Sequence, residues 1–187
     1  MDATKLLQTQ HQEVKSLFEK LESQGESPDP AVFEELARNL VAHDAIEREI
    51  FYPACEQAMG MTHHLAEALV EHGYVEFGLY QADLAVGEDS FEAKLNVLKE
   101  MVLHHVAEEE DEFFPEARAA IESSKLSELG DQMQTRFEEV KRSDIRELTR
   151  ANLLQVMSGA LKTQPGKASP KGQSVSNGRT NERNATR

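Results

Sequence analysis

The chain has 187 residues, one cysteine and a formal net charge of -14. The length allows one domain with a proper core, and the acidic balance disfavours nucleic acid and anionic membrane surfaces as partners. Cys55 alone cannot form an intramolecular disulfide, no basic-then-apolar leader opens the chain, and no apolar stretch approaches the roughly 20 residues of a membrane span. A cytoplasmic protein is therefore expected.

Helical periodicity runs through most of the chain, and strand-like alternation is absent. The pattern predicts four long helices at about 3–22, 31–59, 62–86 and 89–122, and one or two further helices within about 125–161. Joints are expected in the loop 23–30, around Gly60 and Gly87, and from Ser123 to Gly130. The predicted fold is all-α, an up-down-up-down four-helix bundle with an extra C-terminal helix or helices.

This organisation predicts three regions, which are the bundle at 1–122, a C-terminal helical extension packed on it at 123–163, and a disordered tail at 164–187. The tail is rich in Gly, Ser, Asn and Pro and has no apolar periodicity. Its five basic residues against one acidic residue give +4, which leaves -18 on the rest of the chain. Such a tail could contact an acidic surface, although a solvated tail is the simpler interpretation.

Each predicted bundle helix carries one histidine in its apolar seam, and three helices add a glutamate one turn later. A carboxylate buried without a partner costs several kcal/mol, so a dry core of these groups would be unstable. One or two metal cations remove that cost, because carboxylates bridge cations and imidazoles fill the terminal positions. A lone histidine on an apolar face is usually an ordinary core residue, but four in register are not. The candidate metal ligands are His11, His43, Glu47, His72, Glu76, His105 and Glu109.

The paired motif is written twice, as "HDAIEREIFYPA" from His43 and as "HVAEEEDEFFPEA" from His105. The lone histidines precede the paired motifs by nearly the same distance, so the chain reads as two copies of one helical hairpin. Two facing hairpins would build a dinuclear site with near-twofold symmetry. Glu76 breaks that symmetry, because Lys15 stands at the matching position, and it is either an additional ligand or an acid close to the metals.

Other polar residues fit the site less well. Pro53 and Pro115 each remove a helix hydrogen bond, so each should kink or end its helix just beyond the site. Tyr52 could approach the metals, but it is interpreted as an ordinary core aromatic. The remaining histidines fall off the seams, and the acidic run is interpreted as a solvated face; these residues are His63, His64 and His104, and Glu108, Glu110, Asp111 and Glu112.

With its aromatic-proline endings, this order of histidines and glutamates resembles the hemerythrin-like proteins, the HHE cation-binding domain, over about residues 3–120. The resemblance implies a four-helix bundle holding two non-haem iron ions with an oxo or hydroxo bridge. Its ligand positions map onto His11, His43, Glu47, His72, His105 and Glu109, with the glutamates bridging. The oxygen carriers of the family have His-x-x-x-His in the third helix, where this chain has Glu76, so reversible oxygen carriage is not expected.

Three functions stay open from the sequence. The first is a di-iron protein that binds or turns over dioxygen, peroxide or nitric oxide. The second is an iron- or oxygen-sensing, or iron-holding, protein without turnover, whose C-terminal region offers a surface to a protein partner. The third is a scaffold with a structural metal. The lack of usable cysteine and the excess of carboxylate favour iron or manganese over zinc.

Overall fold

The computed structural model describes residues 1–25 and 28–157, which form eight α-helices and no strand. Two short π-helical turns, Glu47–Phe51 and Glu109–Phe113, join α2 to α3 and α5 to α6, so each of these pairs makes one long bundle helix. No helix in this part of the chain is long and apolar enough to cross a membrane. The helices are α1 (Ala3–Ser23), α2 (Pro30–Ile46), α3 (Tyr52–Met59), α4 (His63–Asp83), α5 (Phe91–Glu108), α6 (Phe114–Ala120), α7 (Ser123–Lys141) and α8 (Ile145–Met157).

The predicted all-α bundle with extra C-terminal helices is confirmed. Three of its helices begin at side-chain caps, because Asp2, Asp29 and Thr62 each accept a hydrogen bond from a backbone N–H of the first turn. Gly60 ends α3 with a φ of 74°, a left-handed conformation that favours glycine. The tail predicted from residue 164, and the last residues of the predicted extension, lie outside the described residues.

The two prolines do not end their helices. In each case a π-helical turn comes first, and the α-helix resumes at the residue directly before the proline, Tyr52 or Phe114. The N–H of Tyr52 bonds the carbonyl of Glu47, and the N–H of Phe114 bonds that of Glu109. This five-residue spacing widens the turn before Pro53 and Pro115, which have no N–H to donate. The predicted disruption is therefore absorbed by a wide turn directly after each paired motif.

Four aromatic rings close the bundle on one side of these turns. Phe51, Tyr52, Phe113 and Phe114 are all 1% exposed or less, and the Phe51 ring lies edge-on to Phe113 and Phe114 with centroids 5.9 and 5.8 Å away. Burying a phenylalanine stabilises a fold by about 1.5–3 kcal/mol. The aromatic pairs that the sequence repeats also contact the seam histidines, because the ring of Phe114 stacks on His11 with centroids 5.8 Å apart and that of Tyr52 lies edge-on to His72 at 5.4 Å.

Helices α7 and α8 pack on the bundle. Helix α7 lies against α1 and α2, and α8 lies against α4 and α2. The predicted joint at Gly130 is wrong, because Gly130 lies inside α7. A Cβ atom at this position would overlap the carbonyl oxygen of Met1, so this glycine allows close helix packing rather than a turn. The joint falls earlier, at Ile121 and Glu122.

Candidate metal centre

The four seam histidines meet in two pairs inside the bundle. Nε2 of His11 lies 3.2 Å from Nε2 of His43, and Nε2 of His72 lies 3.1 Å from Nε2 of His105. All four side chains are buried. Each pair comes from one helical hairpin, the first from α1 and α2 and the second from α4 and α5. The repeated hairpins thus face each other, as the internal repeat predicts.

Two buried glutamates lie between the histidine pairs. Oε2 of Glu47 is 3.1 Å from Nε2 of His43 and 3.3 Å from Nε2 of His72. Oε2 of Glu109 is 3.4 Å from Nε2 of His11 and 3.6 Å from Nε2 of His105. Each carboxylate therefore reaches one histidine of each hairpin, which is the placement that bridging two cations requires.

The donor atoms form two groups in which all lie within 4.8 Å of one another. The first group is His11, His43, Glu47 and Glu109, and the second is Glu47, His72 and His105. Both oxygens of Glu47 and Oε2 of Glu109 are buried without a hydrogen-bond partner, although imidazole nitrogens stand nearby. Leaving a buried carboxylate oxygen unpaired is costly. Two cations in these groups would satisfy the orphaned oxygens and the converging nitrogens together, so the residues present fit a dinuclear metal site.

Each histidine turns its other ring nitrogen outward to a polar side chain. These partners can only accept at the atoms involved, so Nδ1 carries the proton and Nε2 points to the centre. Three of the acceptors are carboxylates and one is an amide oxygen. The Nδ1 donors and their acceptors are His11 and Glu110 (2.8 Å), His43 and Gln10 (2.9 Å), His72 and Asp44 (2.7 Å), and His105 and Glu71 (2.9 Å).

These acceptors were missed by the sequence interpretation, which placed Glu110 on a solvated face. Each acceptor is next in the sequence to a predicted ligand, and it binds a histidine of a different helix. Its position beside a seam residue was the one sequence feature that could have indicated this role. The twofold pattern breaks at Asp44, because Val106 stands at the matching position of the other hairpin and cannot accept a hydrogen bond. His11 uses Glu110 instead. Asp44 also accepts three hydrogen bonds from the Arg48 guanidinium, at 2.6 to 2.9 Å.

The electrostatics of the metal-free site favour positive charge. Burial would lower the pKa of His11, but the nearby carboxylates of Glu109 and Glu110 outweigh burial and raise that pKa to about 9. Burial would likewise lower the pKa of His72, but Asp44 and Glu47 raise it to about 10. Burial opposes the ionised form of Glu47, yet the imidazole of His43 close by holds its pKa well below the usual range. The carboxylates thus draw protons onto imidazoles, and metal cations would replace those protons.

Glu76 stands apart from the two donor groups. Its Oε1 accepts a hydrogen bond of 2.6 Å from the Asn152 amide, and its Oε2 is buried without a hydrogen-bond partner. Burial, together with the nearby charge of Asp44, raises the pKa of Glu76 to about 8, despite the bond from Asn152. Glu76 is therefore the predicted ligand that the structure does not bring into the converging set, and its role as a ligand stays a prediction.

A cavity of about 30 Å³, the space open to the centre of a water-sized molecule, lies against all four histidines, Asp44 and Glu76. One water needs about 10–15 Å³ by this measure, so the cavity has room for about two or three waters or one small molecule of similar size. The rest of its wall is apolar and comes from four helices. The apolar wall residues are Val14, Leu40, Val75, Leu79, Val102 and Val106.

Tyr52 belongs to the site, so its interpretation as an ordinary core aromatic is corrected. Its hydroxyl donates to Oε1 of Glu109 at 2.9 Å and lies 2.9 Å from Nε2 of His72. The π-helical turn before Tyr52 holds one residue more than an α-helical turn. Tyr52 therefore faces the centre although it lies five positions after Glu47. His63 and His104 are exposed, and His64 pairs with Glu112 and Glu116 away from the centre, as their positions off the seam indicated.

Comparisons with known proteins agree with this geometry. The family model described as the hemerythrin HHE cation-binding domain matches residues 2–117. This span exceeds half of the chain and contains all seven predicted ligands. The chain therefore belongs to the hemerythrin HHE cation-binding domain family, and the resemblance stated from its motifs is confirmed.

Among solved structures, the chain is similar to a hemerythrin HHE cation-binding domain-containing protein from Mycobacterium kansasii, with 29% sequence identity and a TM-score of 0.69. The match covers 83% of this chain and 99% of that protein. Since 83% of the chain is about 155 residues, the similarity extends well past the family domain into the C-terminal helices. No curated protein matches the chain.

Proposed function

We propose that the chain is a non-haem di-iron protein that binds or reacts with a small oxidant such as dioxygen, peroxide or nitric oxide. The observation that carries this proposal is the convergence of four imidazole nitrogens on two buried glutamates, of which both oxygens of Glu47 and Oε2 of Glu109 lack hydrogen-bond partners. One metal would take His11 and His43, and the other would take His72 and His105. Glu47 and Glu109 would contact both metals.

The donor chemistry favours iron or manganese over zinc. The set contains only imidazole and carboxylate donors, and it exceeds the four ligands of a structural zinc site. Cys55 is buried, and burial together with the charges of Glu109 and Glu47 raises the pKa of its thiol well above the usual range, so a thiolate ligand is disfavoured. Manganese prefers similar ligands, and the choice of iron rests on the redox role proposed here.

The cavity sets the size and polarity of the ligand. It holds a molecule of two or three heavy atoms, its wall is largely apolar, and it opens on the imidazole side of the centre. A pair of iron ions held there would exchange electrons with dioxygen, peroxide or nitric oxide. The chain's own groups supply positions for protons, at the phenol of Tyr52 and at the unpartnered oxygen of Glu76.

A second candidate is an iron- or oxygen-sensing protein without turnover. It is favoured by one observation, the direct contact of α8 with carboxylates beside the centre through Asn152. A change at the centre could reach the surface of α8, where Leu154 and Met157 are exposed, and a protein partner could bind there. A cytoplasmic location remains the expectation from the sequence.

The experiment loads metal-free protein with ferrous iron under anaerobic conditions and mixes it with dioxygen, hydrogen peroxide or nitric oxide in separate runs. Optical absorption follows the centre, and an electrode follows consumption of the oxidant. The proposal predicts a spectral change with at least one oxidant, and its loss in the His43→Ala and His105→Ala variants. Many equivalents consumed per chain would indicate an enzyme, and one equivalent would indicate a binding or sensing protein. No spectral change with any of the three would refute the proposal.

A further inference from the structure

Helix α8 carries a side chain into the neighbourhood of the centre from outside the family domain. The family model ends at residue 117, whereas α8 spans Ile145–Met157 and lies against α2 and α4. The amide Nδ2 of Asn152 donates to Oε1 of Glu76 at 2.6 Å and lies 3.3 Å from Oδ2 of Asp44, which also accepts from it. One amide thus joins α8 to both of the helices that it covers.

Both acceptors of Asn152 face the centre. Asp44 accepts the Nδ1 hydrogen of His72 at 2.7 Å, so it fixes how that imidazole points its Nε2 inward. Glu76 lines the cavity beside the four histidines, and its second oxygen has no hydrogen-bond partner. The position of the Asn152 amide therefore bears on a ligand histidine and on the carboxylate at the cavity wall.

An amide suits this place for an electrostatic reason. Asp44 and Glu76 are both buried acids, and two like charges close together destabilise each other. A neutral donor between them stabilises both without adding a charge. An aspartate at residue 152 would have the same shape, but it would bring a third carboxylate and remove the donor.

Apart from Asn152, few buried side chains hold α8 on the bundle. Among its thirteen residues, Ile145 and Thr149 are the buried ones, and its ion pair between Arg146 and Asp83 is exposed. Segments with few buried contacts open locally at low free-energy cost. The bonds of Asn152 consequently link the docking of α8 to the arrangement of Asp44 and Glu76.

We propose that Asn152 is a positioning residue of the metal centre, which orients His72 through Asp44 and holds the Glu76 carboxylate at the cavity wall. The residue binds no metal and touches no oxidant. This inference rests on the proposed function only in expecting a metal at His72, and its geometric part concerns the metal-free protein as well.

The test compares the full-length variants Asn152→Ala and Asn152→Asp with Thr149→Ala. Thr149 is the matched control, because it is buried on the same helix and its hydroxyl donates to the Ile145 carbonyl within that helix. The first readout is the rate at which a chelator removes iron from the loaded protein. Loss of the group that hydrogen-bonds a ligand histidine typically weakens metal binding about 10- to 100-fold. Asn152 acts on that group, Asp44, one bond further out, so we expect release to quicken by about tenfold, the low end of the range, in both Asn152 variants. Release from Thr149→Ala should stay within about twofold of wild type.

The second readout needs no metal. In metal-free protein, the imidazole nitrogen NMR signals of His72 should shift in Asn152→Ala, while those of His11, which bonds Glu110 instead, should not. Thr149→Ala should move neither set. Unchanged His72 signals in Asn152→Ala, or equal effects of Thr149→Ala and Asn152→Ala, would overturn the inference and leave α8 a packing element. If wild-type protein retains no iron, the proposed function fails, and the NMR comparison still decides the role of Asn152.

Discussion

Replacing Asp44 by alanine should destabilise the protein more than replacing any exposed charged residue would. The Asp44 carboxylate accepts three hydrogen bonds from Arg48 and one from His72, and both Asp44 and Arg48 are buried, at 6% and 4% exposed. Burial would raise the pKa of Asp44, but the charge of Arg48 and the hydrogen bond from His72 outweigh burial and lower that pKa to about 2. Asp44→Ala would leave a buried guanidinium without its counter-charge.

The magnitude follows from that unpaired charge. Removing one partner of a buried ion pair costs about 3–5 kcal/mol, a large share of the 5–15 kcal/mol that typically stabilises a folded protein. Replacing both partners, as in Asp44→Leu with Arg48→Met, leaves no unpaired charge and should recover most of the loss. Glu35→Ala on the same helix is the matched control, because Glu35 pairs with Lys141 at the surface and should cost about 1 kcal/mol or less.

The assay is urea unfolding of metal-free protein, so that lost metal does not contribute to the difference. Iron affinity, measured separately by competition with a chelator, should also fall in Asp44→Ala, because His72 loses the acceptor that orients it. A loss of stability below about 1 kcal/mol, or a double variant no more stable than Asp44→Ala, would refute the reasoning about the buried pair.

Three further predictions follow from the structure. Gly130→Ala should lower the melting temperature, because its Cβ would overlap the Met1 carbonyl; a melting temperature equal to wild type would show that the chain end moves aside freely. Lys141→Met should cost up to about 1 kcal/mol at pH 7, and the difference from wild type in urea unfolding should narrow as pH falls through the lowered pKa of Glu35. There the Glu35 carboxylate, whose pKa the Lys141 hydrogen bond lowers from 4.5, becomes protonated, so a pH-independent difference would contradict the ion pair. Glu76→Gln should change reactivity with peroxide more than iron content; a fall in iron content instead would indicate a ligand.

The bundle and the converging residues were predictable because they follow from periodicity. A seam at spacings of three and four assigns each residue to a helix face, and the repeat of His43 and Glu47 at His105 and Glu109 indicates that two faces meet. The joints at Gly60 and Gly87 were predictable because glycine tolerates the positive φ of a tight turn, and both residues adopt it. Local chemistry sufficed for all of these features.

The outer contacts were not predictable, because they join residues far apart in the chain. Asn152 and Asp44 are separated by 108 positions, and His11 and Glu110 by 99, so no local pattern relates them. Gly130 was misread for the same reason, since its close neighbour is the first residue of the chain. Tyr52 was underestimated because the π-helical turn before it alters the spacing on which the seam was drawn.

The central claim is that one chain holds two iron ions between its hairpins. The most direct measurement is the elemental analysis of protein loaded with ferrous iron and freed of excess, together with its optical spectrum after oxidation. The account predicts about two irons per chain and near-ultraviolet bands of an oxygen-bridged iron pair, both lost in His43→Ala and His105→Ala. Less than one iron per chain, or stoichiometric zinc from purified protein that iron does not displace, would contradict it.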